Sequence, residues 1–221
     1  PSVVFGDASL EGVDETIPYP EKYLCDYPLT KALAEKMVLQ ANGNLLSTVA
    51  IRPHLIWGPG DPHLVPRLLD KAQKNKLVQV GDGENKVDII YIDNAVSAHL
   101  LACKALEGDT NISGKAYFVS DGDPVVLWDW INQLLRQMNK SNVSRKISYN
   151  NALRLGAFLE GVYGLFGIKR EPPMTRFLAS QLAKSHYFNI SRAKNAFGYI
   201  PLVSHEEGMK RLIQSLSHPA D

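Results

Sequence analysis

Short apolar runs alternate with longer amphipathic stretches along this sequence, and that alternation restricts the folds open to it. Six runs rich in β-branched residues predict strands, at residues 2–5, 46–52, 77–80, 87–92, 115–119 and 187–190. Eight stretches with helical spacing predict helices, at residues 27–41, 64–75, 94–106, 127–138, 152–165, 175–184, 191–196 and 205–216. Strands that alternate with helices favour a parallel sheet covered by helices, so the sequence predicts an α/β fold.

The composition is that of an ordinary globular protein. The 221 residues carry 24 Lys and Arg against 23 Asp and Glu, and 45% are hydrophobic. A chain of this length is stable without disulfides or a structural metal. The two cysteines, Cys25 and Cys103, form no Cys-x-x-Cys pair, which predicts a reducing, cytoplasmic location and no metal site. Balanced charge without a basic run argues against nucleic-acid binding.

The first residues of the sequence have the pattern of a strand already under way. Residues 1–7 contain an apolar run that follows neither an initiator Met nor a basic leader, so we expect a segment of a longer chain. Helical patterns dominate from residue 141 onward. This shift predicts a region with strands, residues 1–140, and a smaller, mostly helical region, residues 141–221.

Two turns dense in glycine follow predicted strands. They are Gly-Pro-Gly-Asp-Pro at residues 58–62 and Gly-Asp-Gly-Glu-Asn at residues 81–85. Loops after strands are where α/β proteins bind ligands, yet the same residues form ordinary tight connections. The sequence leaves both interpretations open.

Tyr27 and Lys31 suggest catalysis. They are four residues apart on a predicted helix, so both lie on one face. An ammonium about 4 Å from a phenol favours the phenolate by roughly 4 kcal/mol at an effective dielectric of about 20. Such a charge lowers the phenol pKa toward the range that an acid/base catalyst needs. The spacing alone is weak evidence, since lysines often extend past a tyrosine on a helix.

The order of several motifs resembles the extended short-chain dehydrogenases/reductases, in which Tyr-x-x-x-Lys is the catalytic signature. The matching segments are residues 2–6, 27–35, 51–59 (Ile-Arg-Pro-His-Leu-Ile-Trp-Gly-Pro) and 87–94. Within that family the sequence is most similar to the 3β-hydroxysteroid dehydrogenase branch, and to its decarboxylating sterol-4α-carboxylate 3-dehydrogenase type. The segments behind that choice are residues 52–54, 61–66, 114–121 and 186–203.

The resemblance implies the C-terminal part of a Rossmann-type doubly wound parallel sheet with a smaller, mostly helical substrate region. It also implies an oxidoreductase that uses NAD or NADP to oxidise the 3β-hydroxyl of an apolar, sterol-like substrate, with or without loss of a 4α-carboxylate. Tyr27 would take the hydroxyl proton, and Lys31 would lower the tyrosine pKa and hold the nicotinamide ribose. The backbone of Pro53, His54 and Leu55 would lie beside the nicotinamide carboxamide.

Two parts of the family pattern are expected upstream of Pro1. These are the glycine-rich nucleotide turn, with the residue that selects NAD or NADP, and the catalytic Ser or Thr. Ser2 does not replace the latter, because strand alternation turns its side chain the other way. A later glycine pattern, Gly161-x-x-Gly164-x-x-Gly167, follows no strand, and we predict that it is a helix-packing face.

Two other functions use the same fold. Nucleotide-sugar epimerases and dehydratases often bind the substrate diphosphate with an arginine where this chain has Val87. The loss of that arginine argues against such a substrate, although Lys86 and Arg67 keep the alternative open. A non-catalytic cofactor-sensing protein often loses the tyrosine or the lysine, and this chain keeps both.

The apolar stretch at residues 152–168 has three interpretations: a helix of the substrate pocket, a helix on a membrane surface, or a core helix. It contains Arg154 and Glu160 and is short for a bilayer span, which takes about 20 apolar residues. Peripheral membrane contact through this stretch is compatible with the sequence, and so is a homodimer.

Overall fold

A computed structural model describes residues 8–108 and 111–217. The helices in these ranges are α1 (Asp26–Gln40), α2 (Leu64–Gln73), α3 (Ile92–Glu107), α4 (Leu127–Gln137), α5 (Tyr149–Leu165), α6 (Arg176–Ala183), α7 (Ser191–Phe197) and α8 (His205–Ser217). The strands are β1 (Leu10–Val13), β2 (Val49–Pro53), β3 (Ile56–Trp57), β4 (Gln79–Val80), β5 (Lys86–Val87), β6 (Ile90–Tyr91), β7 (Lys115–Val119), β8 (Val125–Val126), β9 (Lys146–Ile147) and β10 (His186–Phe188).

All eight predicted helices are present, with ends within a few residues of those expected. The strand predicted at residues 2–5 lies outside the described residues. The run at 87–92 forms two strands instead of one, because the chain changes partners within it: the Asp88 amide donates to His186, whereas the Ile90 amide donates to Leu55. A continuous apolar run cannot reveal such a change of sheet.

β2 and β7 form the parallel pair on which the site is built. They pair from Val49 beside Lys115 to Pro53 beside Val119. α1 and α3 pack against β2, and α7 packs against β7. Because the strands are parallel, their carboxyl ends lie at one edge, where α/β proteins bind ligands.

A second, mixed sheet has the order β1-β10-β5-β8. β10 is parallel to both of its neighbours, with His186 between Leu10 and Val87, and β8 is antiparallel to β5. Two further parallel pairs, β3 with β6 and β4 with β9, are two residues long. The mixed sheet brings an early strand of the chain into contact with a late one.

The apolar core consists of two clusters. The first, the helical cluster, includes residues of α2, α4, α6 and α8 and is centred on Trp57, whose ring meets Tyr91 and Trp130 edge-on at 5.3 and 5.4 Å between centroids. The second, the strand cluster, includes Ile90, residues of α3, β7, β10 and α7, and the stacked pair Phe118 and Phe188, 4.1 Å apart. The strand cluster lies against β2 and β7.

α5 and α6 form a hairpin in which Gly156 of α5 lies against the start of α6. A Cβ at Gly156 would lie 2.6 Å from the backbone of Thr175 and of Arg176, so only glycine fits there. At Gly161, Gly164 and Gly167 a Cβ would meet nothing within 4 Å in the described part of the chain. The prediction that these three glycines form a packing face is therefore wrong.

Candidate active site

α1 carries the two residues that the sequence suggests for catalysis. Pro28 fits in its first turn, where the missing amide costs no helical hydrogen bond. The buried face of α1 consists of Pro28, Ala32 and Glu35. Tyr27 and Lys31 lie outside that face and are exposed, so their polar ends are open to a bound molecule.

Tyr27 and Lys31 come together as their spacing predicts. The ammonium of Lys31 lies 6.0 Å from the centroid of the Tyr27 ring, and Tyr27 is 51% exposed. The same ring meets the edge of Phe177 in α6, with 6.5 Å between centroids. The predicted acid/base residue therefore has a cation on its own helix and an aromatic side chain opposite, contributed by the later part of the chain.

The segment predicted to face the nicotinamide lies at the carboxyl end of β2. The strand ends at Pro53, and the chain bends at Leu55, whose φ is +40°. The Leu55 carbonyl accepts a hydrogen bond of 3.3 Å from the Ile90 amide, which ties the bend to β6. Since α1 packs against β2, the bend and the Tyr27 helix share one strand as their support.

The His54 side chain lies in the core. It is 3% exposed, and its ring meets His186 and Phe188 edge-on at 5.9 and 5.6 Å between centroids. Burial, reinforced by His186, lowers the pKa of His54 to about 3, so the imidazole is neutral near pH 7. His54 can therefore offer its backbone, but not a charged ring, to a ligand at the strand end.

A buried ion pair that the sequence analysis did not identify joins α1 to β2. Nη2 of Arg52 lies 2.6 Å from Oε1 of Glu35, and Nε lies 3.0 Å from Oε2. The Tyr19 hydroxyl donates to the same carboxylate. Burial opposes ionisation of Glu35, but the hydrogen bonds from Arg52 and Tyr19 outweigh it and hold the Glu35 pKa below its usual value. The sequence signal that could have revealed this ion pair is Arg52, a charged residue within an otherwise apolar strand.

A buried polar network holds the strand ends to the helices behind them. Asn94, at the start of α3, donates to Asp121 at 2.7 Å and to the Val203 carbonyl at 2.8 Å. It also accepts from the amides of Leu202 and Val203, at 2.8 and 2.9 Å. Asp121 follows β7 and lies 3.2 Å from His205 of α8. The network therefore fixes three elements around the end of β7.

Asp88 is a buried carboxyl group between β5 and β6. It is 1% exposed and accepts a hydrogen bond of 2.9 Å from the Phe188 amide. Burial raises its pKa to about 6, although hydrogen bonds from Phe188 and Ser120 act in the opposite direction. This carboxyl is therefore partly protonated in mildly acidic solution.

The two glycine-rich turns have local structural roles. The Asp61 carboxylate accepts hydrogen bonds from the amides of His63, Leu64 and Val65, at 2.8 to 3.1 Å, and so caps α2. In the second turn, the Gln79 side chain donates to the Asp82 carbonyl at 2.8 Å. These contacts favour tight connections over ligand loops.

α5 presents an apolar surface to the outside. Its buried residues are Ala152 and Gly156 alone. The large exposed apolar side chains of this segment are Leu155, Phe158, Leu165, Phe166 and Ile168. The interpretation of residues 152–168 as a core helix is therefore wrong. None of the helices in the described ranges is long and apolar enough to cross a membrane.

The curated proteins similar to this chain include reductases and sterol dehydrogenases. A 2-alkyl-3-oxoalkanoate reductase of Stenotrophomonas maltophilia is 49% identical over 201 residues, which are 91% of this chain and 61% of that protein. The sterol-4-alpha-carboxylate 3-dehydrogenase, decarboxylating, of Mus musculus is 36% identical over 225 residues, 98% of this chain and 61% of that protein. The chain thus spans about three fifths of the length of these relatives.

Solved structures confirm the predicted Rossmann-type α/β fold. The UDP-glucuronic acid 4-epimerase of Bacillus cereus in complex with NAD aligns with a TM-score of 0.65 at 20% identity, over 98% of this chain and 59% of that one. The dTDP-glucose 4,6-dehydratase DesIV of Streptomyces venezuelae, with NAD bound, aligns with a TM-score of 0.67 at 17% identity, over 98% and 58%. At these identities the likeness concerns the fold alone.

A family model matches residues 2–148, which include α1, β2 and the bend after it. The matched region is more than half of the sequence and contains Tyr27, Lys31 and Pro53–Leu55 in the expected order. The chain therefore belongs to the 3-beta hydroxysteroid dehydrogenase/isomerase family.

Proposed function

We propose that the complete protein is an oxidoreductase that uses NAD or NADP, with Tyr27 as the proton-transfer residue and Lys31 as its cationic neighbour. The observation that carries this proposal is the placement of both residues on α1, packed against the strand that ends at Pro53–Leu55. Family membership supports the reaction type. The NAD bound in the epimerase and dehydratase structures described above supports the cofactor.

The groups at this site suit a nicotinamide cofactor and its substrate. The Tyr27 hydroxyl accepts the proton of a substrate alcohol during oxidation, or donates it to a carbonyl during reduction. The Lys31 ammonium lies 6.0 Å from the centroid of the Tyr27 ring, and its exposed position suits contact with ribose hydroxyls. A bound nicotinamide accepts or supplies the hydride. The bend at Leu55 offers backbone groups at the strand edge, where such a ring lies in this fold.

We further propose that the substrate carries its hydroxyl or carbonyl next to a carbon that bears a carboxylate, with large apolar groups attached. The compounds after which these two kinds of relative are named share this feature. A 2-alkyl-3-oxoalkanoate has its oxo group beside C2, which bears the carboxylate, and a sterol 4α-carboxylate has its 3-hydroxyl beside C4, which bears the carboxylate. Phe177 opposite Tyr27 supports an apolar substrate wall. A 3β-hydroxysterol that carries a 4α-carboxylate is one member of this class.

A sugar nucleotide is the weaker candidate. Val87, at the position where many sugar-nucleotide enzymes carry a diphosphate-binding arginine, is fully buried in the helical cluster. Burial of about 300 Å² of apolar substrate surface contributes on the order of 7 kcal/mol before association costs, so an apolar substrate needs no such arginine.

A second role that we propose for the exposed face of α5 is peripheral contact with a membrane surface. Arg154, Lys169 and Arg170 adjoin its apolar side chains, and all three are exposed. Basic residues beside an exposed apolar helix face favour an anionic lipid surface. Such a contact would bring the protein close to where a long-chain or sterol-like substrate is dissolved.

The substrate class is tested with the complete enzyme and a panel of compounds. The panel contains a long-chain 2-alkyl-3-oxoalkanoate with reduced cofactor, a 3β-hydroxysterol with and without a 4α-carboxylate with oxidised cofactor, and UDP- and dTDP-sugars. Turnover is followed by the absorbance of the reduced nicotinamide at about 340 nm. Mass spectrometry of the sugars detects any reaction that causes no net oxidation or reduction of the cofactor. We expect turnover of carboxylated substrates. Turnover confined to sugar nucleotides would contradict the proposal.

The role of Tyr27 is tested by Tyr27→Phe in the same enzyme. We expect kcat to fall by about 100-fold or more, because the proton donor is lost, while the thermal midpoint changes little at this exposed position. Tyr187→Phe is the matched control, since that hydroxyl makes one long contact, 3.4 Å from Glu11. A Tyr27→Phe enzyme as active as the control would remove Tyr27 from the mechanism.

A further inference from the structure

The face by which α1 contacts the sheet is small and polar. Of its three buried residues, Pro28 and Ala32 have little apolar surface, and the third is Glu35. The larger side chains Leu33 and Met37 are 49% and 69% exposed. Apolar packing within the described residues therefore does little to fix the rotation and axial position of the helix that carries Tyr27.

Glu35 meets a guanidinium that is itself tightly enclosed. The Arg52 and Glu35 side chains are 4% and 3% exposed. The Arg52 Cζ atom lies 5.1 Å from the centroid of the Phe118 ring and 5.8 Å from that of Tyr19. Two rings and a carboxylate thus hold the guanidinium, and its hydrogen bonds to Glu35 have fixed directions.

We propose that Glu35 and Arg52 are positioning residues that set the location of Tyr27 relative to the end of β2. The inference rests on the proposed function, since the role belongs to that reaction. Glu35 lies eight residues after Tyr27 on one helix, about 12 Å along its axis. Arg52 directly precedes Pro53, where the nicotinamide-facing segment begins. The pair therefore joins the two halves of the site through rigid elements.

Stability alone does not account for an ion pair in this place. A buried ion pair stabilises a fold no better than well-packed apolar side chains of similar volume, because both charges lose their hydration. Charge-assisted hydrogen bonds to a carboxylate do, however, fix distance and direction, which apolar contacts do not. Positional precision matters at this site because a misplacement of about 1 Å can cost on the order of 100-fold in rate.

The test separates position from stability in the complete enzyme. Glu35→Gln leaves the Arg52 charge buried without its counter-charge, so both the thermal midpoint and kcat should fall, kcat by roughly 10- to 100-fold. The double variant Glu35→Met with Arg52→Met removes both charges. It should recover the thermal midpoint but not kcat, and its primary deuterium isotope effect on kcat should be larger than in the wild type. Asp70→Asn, which breaks the exposed pair with Lys74, is the control and should change neither quantity.

Recovery of kcat together with the thermal midpoint in the double variant would overturn the inference, because the pair would then serve stability alone. Absence of turnover in the wild-type enzyme would instead count against the proposed function.

Discussion

At the scale of single residues, the site combines two open side chains with a buried polar frame. Tyr27 and Lys31 are exposed, as their proposed roles toward a substrate and a cofactor require. Glu35, Asn94 and His54 are buried. Reacting groups need access, whereas the groups that hold them need fixed partners. The two sets therefore respond differently to substitution: exposed residues change rates, and buried ones change stability or geometry.

Asp88 gives a pH-dependent prediction at this scale. Its pKa is raised from 3.8 to about 6 by burial, so the folded protein binds the proton more tightly than the unfolded chain. The free energy of unfolding therefore falls as the pH rises between these two values, because the folded protein must then bury an ionised carboxylate. This destabilisation is complete above about pH 6. A shift of this size corresponds to roughly 3 kcal/mol at most.

Asp88→Asn keeps an acceptor for the Phe188 amide and removes the buried charge. We expect the variant to unfold at a higher urea concentration than the wild type at pH 7.5, and this difference to be much smaller at pH 4, where the folded aspartate is protonated and the unfolded one is partly protonated. Asp123→Asn, at an exposed position, is the control. A variant less stable than the wild type at pH 7.5 would contradict this prediction, because it would show that the ionised Asp88 carboxylate stabilises the folded protein.

At the scale of elements, the α5–α6 hairpin depends on one close contact. Gly156→Ala would place a Cβ 2.6 Å from the backbone of Thr175 and Arg176, which neither helix can relieve without moving. We expect a loss of about 1–3 kcal/mol in the free energy of unfolding. Gly161→Ala is the matched change on the same helix, where a Cβ meets nothing within 4 Å. It should stabilise by about 0.5–1 kcal/mol, because alanine favours a helix over glycine.

Urea unfolding measures the free energy of unfolding of both variants. The two predictions are confirmed if Gly156→Ala lowers this free energy and Gly161→Ala raises it. If Gly161→Ala were the destabilising change, the hairpin would be packed along the face that the sequence pattern suggested. Gly161, Gly164 and Gly167 were predicted to form the packing face because their spacing is regular. A contact made by a single glycine leaves no such pattern.

Helices were the most predictable elements, because each has enough residues to establish a period. The strands β3, β8 and β9 are two residues long, so they have no period to detect. The same limit applies to pairs of residues. Tyr27 and Lys31 share one helix and could be related by spacing, whereas Glu35 and Arg52 are 17 residues apart on different elements. Only the fold brings that pair together.

At the scale of the whole molecule, the exposed face of α5 predicts lipid binding. We expect the complete enzyme to float with vesicles that contain phosphatidylglycerol. Phe166→Asp should reduce the bound fraction roughly tenfold, because a carboxylate must lose its hydration to enter the interface. Leu45→Asp, at a fully exposed position outside α5, should not. Absence of flotation in the wild type would contradict the proposed membrane contact.

The strand β6 has a consequence for how the molecule opens. Its two side chains point to opposite sides, Ile90 into the strand cluster and Tyr91 into the helical cluster. Ile51 of β2 packs on the strand cluster, whereas Ala179 of α6 belongs to the helical cluster. Cooperative opening units follow such core boundaries. We therefore expect the helix that presents Phe177 to be able to open in a sub-global fluctuation while the strand beside Tyr27 stays paired. Such an opening would let a bulky molecule reach the proposed site without disturbing β2.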